Sequence, residues 1–82
     1  MSVANDIRAY LASGPRWSGP PESLGLQYPL IDNEVLDSLG IFELVGFIED
    51  EFDIDVQDDD LVPENFENVE AISQLVERRQ AG

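Results

Sequence analysis

The sequence contains no cysteine, no histidine and no lysine. Without cysteine there is no disulfide framework, thiolate metal site or thiol nucleophile. Without histidine the commonest general base and metal ligand is missing. Positive charge is scarce: the four arginines, Arg8, Arg16, Arg78 and Arg79, face 18 carboxylates, for a net charge of −14 at pH 7. Every carboxylate but Asp6 lies between Arg16 and Arg78, an interval with no cation at all. Such a chain repels nucleic acid and anionic membranes and attracts basic protein surfaces, with association sensitive to salt. No run approaches the roughly 20 apolar residues of a transmembrane helix. The start, Met1-Ser2-Val3-Ala4-Asn5-Asp6, has neither a basic region nor a long apolar run. That argues against a signal peptide and predicts a cytoplasmic protein.

What is present fits one small domain over residues 1–82, with 43% hydrophobic residues to build its core. A domain of this size buries only about 60% of its unfolded surface. Local helix-on-helix packing is therefore the economical solution. Charge of this magnitude favours disorder, so the apolar residues must be well patterned for the fold to survive its own repulsion. Val3, Ile7, Tyr10 and Leu11 recur on one helical face and predict a helix over residues 3–12. Ser2 suits its N-cap, and Gly14-Pro15 stops it. Residues 13–36 are punctuated by Gly14, Pro15, Gly19, Pro20, Pro21, Gly25 and Pro29 and read as a long connection. Trp17, Leu24, Leu26, Tyr28, Leu30 and Ile31 within it predict that parts of it pack on the core. Residues 38–52 give the strongest helix signal, with Phe42, Leu44, Val45, Ile48 and Phe52 assigned to the core and Asp37 or Ser38 to the cap. An acidic connection follows, with a short helical turn around residues 59–66 that tolerates Pro63. Asn68 caps a last helix over residues 69–79, whose stripe is Val69, Ile72, Leu75 and Val76. Arg78 and Arg79 suit its negative end. The sum is an all-α bundle of three main helices and one short one. With no heptad seam, a monomer is expected.

Leu36-Asp37-Ser38-Leu39-Gly40-Ile41-Phe42-Glu43-Leu44-Val45 places a serine at a predicted helix mouth, where its hydroxyl is reachable and a phosphate is favoured by the helix dipole. This segment resembles the acyl carrier protein and peptidyl carrier protein family. The resemblance extends through Glu49-Asp50-Glu51-Phe52, Ile54-Asp55-Val56 and Asn68-Val69. It implies a freestanding carrier, not an enzyme, whose Ser38 accepts 4′-phosphopantetheine from coenzyme A, with Asp37 and Leu39 beside the attachment point. It also implies that Leu39, Glu43, Gly46, Glu49 and Asp50 dock partner enzymes. Those partners would be a phosphopantetheinyl transferase, an acyl- or aminoacyl-loading enzyme and a downstream transferase or synthase. The chain has no base to activate Ser38, so the transferase must supply one. Gly40 stands where a polar residue is frequent in the family, and the stretch Val62-Pro63-Glu64-Asn65-Phe66 looks longer than in carriers of fatty-acid synthesis. The resemblance therefore leans towards a secondary-metabolite pathway, of polyketide or nonribosomal peptide type, over fatty-acid synthesis.

Two other readings compete. Asp53, Asp55, Gln57, Asp59 and Glu64 follow the spacing of an EF-hand calcium loop, but Asp58 occupies the place of its turn glycine, and no second loop exists. An acidic interaction domain accounts for the charge but not for the Asp37-Ser38-Leu39 setting.

Overall fold

The computed structural model describes residues 2–81, which form three α-helices and no strand. Helix α1 spans Val3–Ala12, α2 spans Ser38–Phe52 and α3 spans Val69–Ala81. The predicted caps are in place: the Ser2 hydroxyl accepts from the Asn5 N–H at 3.1 Å, and the Asn68 side-chain oxygen accepts from the Ala71 N–H at 2.7 Å. The short helix expected around residues 59–66 is instead two single 3₁₀ turns, Asp58–Asp60 and Pro63–Asn65. Pro63 opens the second turn, where its missing N–H costs nothing. Despite the charge, the radius of gyration is 11.6 Å, close to the roughly 12 Å of a compact chain this long.

One core joins all three helices. Ile7 and Leu11 come from α1, Leu44 and Ile48 from α2, and Val69, Ile72, Leu75 and Val76 from α3. The connections supply Leu24, Leu30, Val35, Leu36, Ile54 and Phe66, all buried. Helices α1 and α3 pack closest. Helix α2 meets α1 through large side chains, with the Tyr10 and Phe47 rings stacked at 4.2 Å and Phe52 edge-on to Phe47. The burial of Phe42 is the one core assignment that fails. Phe42 is 72% exposed, because α2 turns it outward while Leu44 and Ile48 face inward. Leu26 is also exposed, although its carbonyl accepts from the Glu70 N–H at the start of α3.

The long connection is tied down at several points. The Leu30 N–H donates to the Glu67 carbonyl at 2.8 Å, and Val35 and Leu36 both donate to the Leu30 carbonyl. Trp17 packs edge-on against Tyr28 and donates to the Ser23 hydroxyl. These bonds fix the chain entering α2.

The acidic connection after α2 is pinned differently. Asp60 is almost fully buried and accepts two bonds from Arg79, from Nε at 2.7 Å and Nη2 at 2.8 Å. This two-point pair holds the Asp60 carboxyl below its usual range against the upward push of burial, with further help from the Gln57 N–H. Arg79 thus does more than offset a helix dipole; it binds the end of α3 to the 3₁₀ turn. A carboxyl held low in the folded state adds stability that is complete above its unfolded pKa of about 3.9 and disappears as pH falls through the folded value. Asp60→Asn is expected to lower the melting temperature at neutral pH. The gap between wild type and variant should close as pH drops below about 4. Paired thermal melts across that range check it, and a constant gap would contradict it.

Candidate functional site

The chain enters α2 through Val35 and Leu36, both buried, so the next residues emerge at the surface at a fixed point. Asp37 is extended and caps the helix, its Oδ1 accepting from the Gly40 N–H at 2.7 Å. Its other oxygen, Oδ2, accepts from Arg16 Nη2 at 2.7 Å. The Gly40 N–H and then the Arg16 guanidinium hold the Asp37 carboxyl below the usual range. Gly40 contributes its bareness: a Cβ there would come within 3.2 Å of Asp37 Oδ1. At that distance the capping carboxylate would have to give way.

Because Asp37 takes the cap, Ser38 is left free. It is the first residue of α2 and is exposed. Among the described residues, its Oγ has no hydrogen-bond partner. Ser38 lies where two open depressions meet. One, of about 420 Å³, is lined by Arg16, Ile31, Glu34, Leu36, Asp37, Ser38, Ile41 and Pro63. The other, of about 190 Å³, is lined by Ser38, Ile41, Phe42 and Leu61.

The outward face of α2 carries the other residues singled out from the sequence. Leu39 is 64% exposed, and Glu43, Gly46 and Asp50 are exposed. A Cβ on Gly46 would meet nothing within 4 Å, so no packing in this chain calls for glycine there. Glycine inside a helix is less stable than alanine by up to about 1 kcal/mol. Glu43 stands near the Tyr10 hydroxyl, whose pKa is raised by burial and then by that carboxylate. Glu49 differs from the others: it is half-buried, and its Oε2 accepts from the Val56 N–H at 3.0 Å. Part of its carboxylate is therefore committed to holding the connection after α2.

The EF-hand-like spacing is not folded into a ligand loop. Asp53 is the left-handed C-cap of α2, and residues 58–60 form a 3₁₀ turn whose Asp60 faces Arg79. Among the described residues, no group of three or more acidic side chains converges on a possible metal position.

Three residues beside Ser38 escaped sequence reasoning. Arg16 is separated from Asp37 by the whole connection, and nothing in the local pattern joins them. Phe42 follows the helical apolar period, which does not distinguish a core face from an apolar outer one. Leu61, 42% exposed, precedes a proline turn that leaves it no partner stripe.

No family profile matches the chain. The chain is similar to the probable acyl carrier protein PigG of Serratia sp. (strain ATCC 39006), at 33% identity over 63 residues. The match covers 77% of this chain and 72% of that protein. With its helical bundle and an Asp-Ser-Leu helix start, the chain belongs to the acyl carrier protein family.

Proposed function

We propose that Ser38 bears 4′-phosphopantetheine and that the loaded protein carries a thioester-bound intermediate between enzymes of a secondary-metabolite pathway. The observation that carries this reading is the free, exposed Ser38 hydroxyl at the mouth of α2, with Asp37 taking the capping role beside it. The residues fit the group. Asp37 consumes the Gly40 N–H, while the Ser38 and Leu39 N–H groups lie too early in the helix for intrahelical partners. They suit a phosphodiester oxygen. The adjoining depressions leave space for an attached arm.

In the modification, Ser38 Oγ forms a bond to the phosphorus of coenzyme A that carries the pantetheine. The bond from that phosphorus to the adenosine 3′,5′-bisphosphate portion breaks, and the hydroxyl proton passes to a base of the transferase. The attached arm would end in a thiol that forms the cargo thioester. Ser38 positions this arm; the chemistry of loading and unloading belongs to partner enzymes.

Docking would use the outward face of α2. Leu39 and Phe42 form its apolar centre, and Gly46 lets a partner approach closely. Glu43 and Asp50 supply charge for a basic rim, with Glu49 contributing what its bond to Val56 leaves. Buried apolar anchors dominate such contacts, while rim charges act mainly on encounter rate. The pathway assignment is supported by the departures at Gly40 and Val62–Phe66 from the pattern of fatty-acid-synthesis carriers.

Incubation with coenzyme A and a broad-specificity phosphopantetheinyl transferase should add one phosphopantetheinyl group by intact mass. Ser38→Ala should add none, and a wild-type protein left unmodified would refute the assignment. Phe42→Ala should reduce transferase kcat/KM about tenfold, with melting temperature little changed. Glu43→Lys should slow loading at low salt, with the deficit shrinking as salt rises. Equal kinetics for both variants and wild type would rule out this docking face.

A further inference from the structure

Arg16 is the cation that shares a groove with Ser38. Of the other arginines, Arg8 donates to the Glu22 carbonyl beyond α1, and Arg78 and Arg79 sit at the end of α3. Arg16 lines the depression of about 420 Å³ together with Asp37 and Ser38. Its guanidinium has five N–H donors. Nη2 gives one short bond to Asp37 at 2.7 Å, and Nη1 reaches the Glu34 carbonyl only at 3.5 Å. The side chain is 42% exposed, so its remaining donors are accessible. As a solvent-exposed ion pair, Arg16–Asp37 alone contributes little to stability. Its position beside the serine has a larger consequence. A phosphodiester on Ser38 would put a new negative charge next to the Asp37 carboxylate, in a chain already at −14. The guanidinium is suited to bridge the two, because its planar fork can serve a carboxylate and a phosphate oxygen at once.

We infer that Arg16 is a phosphate-contacting residue of the modified protein, holding the phosphodiester on Ser38 while keeping its bond to Asp37. This rests on Ser38 carrying phosphopantetheine, which intact mass tests separately. The contact would fix the first bonds of the arm and direct it into the groove that Arg16 lines.

With four arginines and no lysine, the side-chain Nε–H signals in a ¹⁵N-resolved spectrum are few, and Arg16→Lys identifies the one from Arg16. The spectra are compared for unmodified and fully modified wild type, the mass confirming each state. On modification the Arg16 Nε–H should shift and exchange more slowly with water, while Arg8, Arg78 and Arg79 stay in place. Inorganic phosphate added to unmodified protein at the same concentration should not reproduce the shift. A second measurement uses Arg16→Gln: modification should lower its melting temperature more than that of wild type, with Arg16→Lys between them. Its ³¹P resonance should also differ from wild type. A modified wild type whose Arg16 signal is unmoved would overturn the inference and leave the carrier assignment standing. A wild type that cannot be modified would overturn both.

Discussion

The site depends on how one carboxylate divides its two oxygens. Asp37 Oδ1 closes the first turn of α2 on Gly40, and Oδ2 fastens Arg16 from the far end of the long connection. The first bond makes Ser38 the opening residue of the helix and frees its hydroxyl from capping. The second brings a cation into the groove that Ser38 lines. Behind Asp37, Val35 and Leu36 are buried and their N–H groups converge on the Leu30 carbonyl, so the capping residue cannot drift. The result is a serine presented outward from a rigid support.

The same device appears at the connection that follows α2. A chain of charge −14 resists compaction, and the two ion pairs among the described residues are placed where connections would otherwise be free. Arg79 holds Asp60 of the acidic connection against α3; Arg16 holds the long connection against α2. Their value lies less in raw stability than in fixing where loops cross helices. Glu49 adds a third restraint by accepting from the Val56 N–H. Carboxylates that enter no such bond, such as Glu43 and Asp50 on α2, leave an anionic surface around the apolar Leu39 and Phe42. The proposed docking face and the fold thus draw on two subsets of one acidic composition that overlap at Glu49.

Much of this was legible in the sequence because it rests on local rules. The caps at Ser2 and Asn68, the stop at Gly14-Pro15 and the stripe of α3 depend on residues within one or two turns. The exposed serine at the mouth of α2 follows from the same logic. Pairs distant in sequence were not legible. Nothing in the pattern joins Arg16 to Asp37 or Arg79 to Asp60, since each is made by the tertiary path of a connection. Phe42 is not legible as an outward residue, because an apolar residue at helical spacing satisfies either a core or an outward contact, and only the packing of α2 decides. Glu49 looked like its acidic neighbours, yet the return of the chain past it gives its carboxylate a structural bond. Gly40 stands in the sequence only as a departure from a family's polar position; in the folded protein it leaves room for the capping oxygen.

We propose that the serine freed by Asp37 is the chain's attachment point. Ser2, Ser13, Ser18, Ser23 and Ser73 offer the same hydroxyl elsewhere in the chain. After enzymatic loading, digestion at acidic residues and fragment-ion sequencing of the modified peptide distinguishes them directly. The whole phosphopantetheinyl group is expected on Ser38 and none on the other five. Its appearance on any of those serines would contradict Ser38 as the attachment point.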